Sequence, residues 1–376
     1  MDMSRSSRAV AVMAVASSCA LLLAGAPDAG ASITRTVACQ GSGGGVAGLR
    51  AAIDEANAHG GGRITLAPNC TYRFTDGPYV GQEGSNALPV ITSSIVITGD
   101  ESALVRKSKD PFRFFEVERG AALELSRMTL KGGATSSVPE VNENGGAILT
   151  SGRLVVREAT LTGNVSGNGG AIEADGGRVR IVESTLARNH ARNVPGATAG
   201  AIAVQGARVT LRRVTLARND AVAKGGAIAI FAGTMTINRS TLTGNTVSVN
   251  GAGGGIFNYG TLTIDHTTLA ENEANGYAGN GGAIANYAKG RLTVTESEIQ
   301  RNSAGMKGGV SRAFGGGIAN FGKARLSDVR ITRNKAMGGK AKGGGISVRS
   351  GTVSLTTSTV ANNSPNDCSG KVKGRC

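Results

Sequence analysis

Tryptophan is absent from this chain and other rings are few, 8 Phe and 5 Tyr among 376 residues, so a core built on large aromatics is excluded. Histidine is limited to His59, His190 and His266, none spaced as a metal cluster, so neither a metal nor a cofactor is expected. Acids are in deficit, 26 Asp and Glu against 41 Lys and Arg, which leaves a net charge of +15. No cysteine falls between Cys70 and Cys368. Beyond residue 31 no apolar run reaches the ~20 residues of a membrane-spanning helix. Yet the chain is 40% hydrophobic and only 18% charged, too apolar for disorder.

What it has is glycine. The 58 glycines are about twice the usual ~7%, and they lack the every-third-residue period of collagen. Residues 1–31 show a basic start (Arg5, Arg8), an apolar run and the small-residue site Ala29-Gly30-Ala31, which predicts a signal peptide cut before Ser32. Cys19 leaves with it. The four remaining cysteines are paired, on their even number and their segregation to the two ends, as Cys39 with Cys70 and Cys368 with Cys376.

The tetrad Gly-Gly-Ala-Ile or a near copy ends at Ile148, Ile172, Ile202, Ile228, Ile256, Ile284, Ile318 and Ile346. In each copy an aliphatic residue and, three later, an Asn follow: Asn164, Asn189, Asn219, Asn245, Asn272, Asn302, Asn334 and Asn363. Seven and five residues before the aliphatic the chain is again apolar, as at Val179 and Ile181 or Leu262 and Ile264. Alternation by two means strand. Three short strands and three bends in each repeat, with a variable loop after the Asn, predict an all-β, single-stranded parallel β-helix filled by aliphatics. The glycines supply the bend, and the asparagines a structural ladder.

The tetrad with its aliphatic-x-x-Asn motif resembles the right-handed parallel β-helix repeats of the pectate-lyase-like superfold, especially those of polymorphic outer-membrane proteins. The resemblance covers about residues 40 to 365. The chain departs from that group in having Leu, Ile or Val where Phe is usual, and no C-terminal membrane barrel is read in it. The stripe Val46, Leu49, Ala52, Ile53 and Ala56 predicts an amphipathic capping helix ending at Gly60. The expected organisation is a signal peptide (1–31), a cap (32–62), the β-helix (63–365) and a disulfide-closed tail (366–376).

The resemblance implies polysaccharide lyases and glycoside hydrolases among the possible activities, but no converging carboxylates are found. The column after the tetrad Ile reads Leu149, Glu173, Ala203, Ala229, Phe257, Ala285, Ala319 and Ser347. Glu173 and Asp175 are spaced like an inverting pair and also read as a surface salt bridge with Arg178 and Arg180. Catalytic residues therefore stay unknown. Phe231, Tyr259, Tyr287 and Phe321 share one register in four consecutive coils, either as an outward platform for sugar rings or as a stabilising bend stack. Asn258, Asn286 and Asn320 beside them read as a second, inward ladder. Arg188, Arg218, Arg301 and Arg333, with Glu271 among them, form a basic column, and Lys307 and Arg312 lie on the longest loop.

From Arg301 to Cys376 there are fourteen Lys and Arg against Asp328 and Asp367. This asymmetry favours an anionic partner, and an acidic polysaccharide or cell-wall polymer fits better than nucleic acid; its alternative is simple solubility. The expected function is an extracellular or cell-surface protein that binds an anionic polymer through its basic C-terminal half. A polysaccharide lyase or hydrolase, using Lys307, Arg312 or the Glu173 and Asp175 pair, and a structural adhesin or spacer are the alternatives.

Overall fold

Each repeat closes one coil. A computed structural model describes residues 32–376 apart from 82–83, 136–143, 193, 250, 277 and 307–311. The predicted signal peptide and Lys307 lie outside the described residues. In one coil, strand Ile228–Asn238 runs through two faces, Thr241–Thr243 makes the next, and Thr246–Val247 follows the ladder Asn. Each stacks in parallel on its counterpart one repeat later, and the stack forms a parallel β-solenoid of about eleven turns. The two-residue strands after each Asn form a sheet of their own that the repeat pattern did not single out.

Register explains the interior. Ile228 lies on Ile256, Met235 on Leu262, Ile237 on Ile264 and Leu242 on Leu269, all 0–1% exposed. Burial of such aliphatic columns, worth about 25 cal/mol per Å² of apolar surface, is the main force holding the coils together.

The two glycines of a tetrad do different work. Gly225 has φ +63°, the left-handed region, and every tetrad repeats that conformation. One copy manages it without glycine, at Ala199 with φ +62°. At Gly226 the constraint is close approach, since a Cβ there would press on the carbonyl oxygen of Gly254 in the next coil.

The asparagines are fully engaged. Asn219 Nδ2 donates to Asn245 Oδ1 at 2.9 Å and to the Leu186 carbonyl at 3.0 Å, while its own Oδ1 accepts from the N–H and Nδ2 of Asn189. The same pattern runs from Asn164 to Asn363. Asn258, Asn286 and Asn320 form the second ladder, at 2.8 and 2.7 Å, all buried. A third column, of Ser184, Ser240, Thr267 and Ser297, accepts backbone N–H groups through hydroxyls.

At the ends, helix Gly45–Ala58 buries Leu49, Ile53 and Ala56 in the same core as Ile64 and Ile95. Ile33–Val37, in the segment read as a cap, pairs with Gly61–Leu66. Cys368–Ser369 and Val372–Lys373 pair with Ile346–Val348 and Thr352–Thr356, so the tail adds part of a last coil. The disulfides are Cys39–Cys70 and Cys368–Cys376. No helix among the described residues is long and apolar enough to cross a membrane.

Candidate functional site

The aromatic column does not stack in its own register. The ring sequence is Phe231, Phe257, Tyr287, Phe321, with centroids 5.8, 4.9 and 4.8 Å apart, so Phe257 takes the place expected of Tyr259. The reason is local volume: Phe257 points outward between its register partners Ala229 and Ala285, whose small side chains leave room for a ring. It is only 3% exposed. Tyr259 stands aside with the Lys289 ammonium 5.6 Å from its ring centre, and Lys224 sits 5.2 Å from that of Phe257. Burial raises the Tyr287 phenol above its ordinary pKa. Phe231, Tyr259 and Tyr287 are half-buried against an alanine-lined trough, and Phe321 is half-buried at the end of the ring stack.

The basic residues singled out in the C-terminal half do not assemble into one site. Arg301 and Arg333 occupy a left-handed bend, with φ +55° and +58°, and Arg301 reaches Glu271 at 3.7 Å. Arg312 is exposed in a different column, just before Phe314, whose ring is covered by Arg349 at 3.9 Å. Glu173 is buried and Asp175 exposed, and among the described residues Asp175 makes no ion pair with Arg178 or Arg180.

Coil stacking does gather one mixed cluster from distant positions. His266 Nδ1 lies 2.9 Å from Asp265 Oδ2, and Nε2 lies 2.9 Å from Glu296 Oε2. The hydroxyl of Thr295 donates to Asp265 Oδ1 at 2.7 Å and, with His266 and Asn238, holds the Asp265 carboxyl below its ordinary pKa against the opposing effect of burial. Both ring nitrogens already face carboxylates. The arrangement is a surface hydrogen-bonded chain from Asp265 through His266 to Glu296.

A different column carries the strongest electrostatic feature. Arg153, Arg178 and Arg208 are register partners in three successive coils, about 4.8 Å apart per step, and Arg180 lies beside Arg178 on the same outward face. All four are exposed, and together with Val155 and Thr210 they line a surface depression of about 160 Å³. The neighbouring acids are spent elsewhere: Glu124 on Arg157 at 2.9 Å, and Glu183 on Arg212 and Arg213. Among the described residues no carboxylate pairs with Arg153, Arg178, Arg180 or Arg208. Val155 shares this face and is 2% exposed, as expected where long arginine stems lie across an apolar neighbour.

The column continues through Thr234 and Thr261 to Arg291 and Lys323, with Arg325 beside Lys323. These three are also exposed and, among the described residues, without an acidic partner. The signal was available in the sequence, since each column member stands eight residues before the aliphatic of its repeat. No protein-family model, curated protein or solved structure matches the chain.

Proposed function

We propose that this is an exported solenoid that binds an anionic polymer, an acidic polysaccharide or cell-wall polymer, along one face. The observation that carries the reading is the column Arg153, Arg178, Arg208, Arg291 and Lys323, which runs with the solenoid axis for about 29 Å and pairs with no acid among the described residues. Like charges in register repel. A polyanion laid along the column removes that repulsion and forms charge-assisted hydrogen bonds with the guanidinium forks. Export is supported by the leader pattern of residues 1–31 and by two disulfides, which persist in oxidising surroundings.

Chromatography of residues 32–376 on immobilised polygalacturonate and dextran sulfate tests the reading. Retention that weakens steeply with salt, and is lost when Arg153, Arg178 and Arg208 are all replaced by Ala, is expected. Passage of the wild type in the void volume at low salt overturns it.

A second reading, a polysaccharide-cleaving enzyme, draws on a depression of about 140 Å³ where Asp175 meets Glu118 and Arg119. Reducing or unsaturated ends released from the same polymers, and no longer released by Asp175→Asn, would decide for it.

A further inference from the structure

We infer that the basic face takes a polysaccharide carrying more than one anionic group per sugar residue, a densely sulfated chain. This rests on the reading that the face binds an anionic polymer. The column alone offers one cation per coil, and an extended pyranose chain advances by about one ring per coil step, so a chain with one carboxylate per residue matches Arg153, Arg178 and Arg208 one for one.

The second column is what such a chain leaves unmatched. Arg180 sits two residues from Arg178, roughly 6.6 Å across the face. Its own register neighbours are Val155 and Thr210, neither charged. The arrangement recurs at the other end of the track, where Arg325 lies two residues from Lys323 between Thr293 and Ser354. In both places a first-column cation has a companion displaced sideways, and among the described residues no acid pairs with either. Asp175, the nearest acid in sequence to Arg178, is exposed and unpaired with it. Sulfate groups on both edges of a sugar ring would face both columns, each read by a guanidinium fork. Threonines at positions 234 and 261 bridge the two clusters without adding charge.

The test compares dextran sulfate with polygalacturonate of similar length, by titration calorimetry at physiological salt, for wild type, Arg180→Ala, Arg178→Ala and, as a control of equal charge change away from the face, Lys340→Ala. Dextran sulfate is expected to bind more tightly per mole of anionic groups. Arg180→Ala should weaken dextran sulfate about tenfold while changing polygalacturonate less than about twofold, and Arg178→Ala should weaken both. Lys340→Ala should change neither appreciably. Unchanged circular dichroism and melting verify that each variant is folded. Equal affinity for the two polymers, equal loss on both with Arg180→Ala, or a Lys340→Ala loss as large as that of Arg180→Ala overturns the inference while the polyanion reading stands. Binding of neither polymer overturns both.

Discussion

Asn363 gives both its backbone N–H and its Nδ2 to Oδ1 of Asp367, each at 2.9 Å. This contact ends the asparagine ladder. Every earlier rung hands its Nδ2 to the next Asn, and the last needs an acceptor that no further coil provides; a carboxylate, which only accepts, is suited to that place. At the other end the first rung, Asn164, accepts from the N–H of Gly133, which stands where an Asn would otherwise begin the series.

The terminal acceptor gives a clean substitution pair. Asp367→Ala should cost about 1–2 kcal/mol and speed hydrogen exchange at the Asn363 amide, because the Asn363 N–H loses its acceptor and Nδ2 is left with only the Ile331 and Ala361 carbonyls. Asp367→Asn keeps an Oδ1 and should cost much less. Equal losses in chemical denaturation would show that the acceptor is not what matters there.

An interior rung should cost more. Asn219 is 0% exposed, and truncation to Ala takes the acceptor from the buried Asn189 N–H, removes the side-chain donor to the Leu186 carbonyl, and leaves Asn189 Nδ2 and Asn245 Oδ1 with one rung partner fewer each. Asn219→Ala is expected to destabilise by about 3 kcal/mol, seen as a lowered denaturation midpoint, and to leave polymer affinity unchanged in the fraction that remains folded.

The tetrads predict opposite signs at neighbouring positions. Ala199 holds a left-handed φ without glycine, so Ala199→Gly should stabilise by roughly 0.5–1 kcal/mol after the extra freedom of the unfolded chain is counted. Gly226→Ala should destabilise, since its Cβ meets the Gly254 carbonyl whatever the backbone angle. Thermal melting of the two variants checks both signs.

What could be read from the sequence followed from how local each feature is. The tetrad, the aliphatic pairs and the Asn spacing recur within one repeat, so the solenoid, both asparagine ladders and the disulfide pairing were legible. Features that join different repeats were harder. Phe257 enters the ring stack because Ala229 and Ala285 flank it, which depends on three coils at once. Arg301 and Arg333 were visible as a basic column, but their place in a left-handed bend, and the pairing of Arg301 with Glu271, only appear once the coil is closed.

Asp265 sets an acid limit. Its folded pKa lies below the ordinary aspartate value, first through the Thr295 hydroxyl and then through His266 and Asn238. The stability it contributes is therefore fully present above the unfolded value and is lost as pH falls through the lower folded one. Thr295→Val, which keeps the volume and removes the hydroxyl donor, should lower the melting temperature at pH 6, and the difference from wild type should narrow as pH falls below the ordinary aspartate range. A difference independent of pH would assign the effect to packing instead.

The arginine column should tax stability when nothing is bound. Arg178 lies in register between Arg153 and Arg208, and like charges directly opposite one another destabilise a sheet. Arg178→Ala is accordingly expected to raise the melting temperature by roughly 2 °C at low ionic strength, despite the lost packing of its stem. The gain should vanish at high salt, where exposed charges more than a few Å apart no longer sense one another. Wild type should gain more than the variant from added dextran sulfate, because the polymer removes a repulsion that the variant lacks. A variant less stable than wild type at every salt concentration would mean that the column is held apart well enough for its members to be electrostatically independent, and the argument from repulsion to ligand would fail with it.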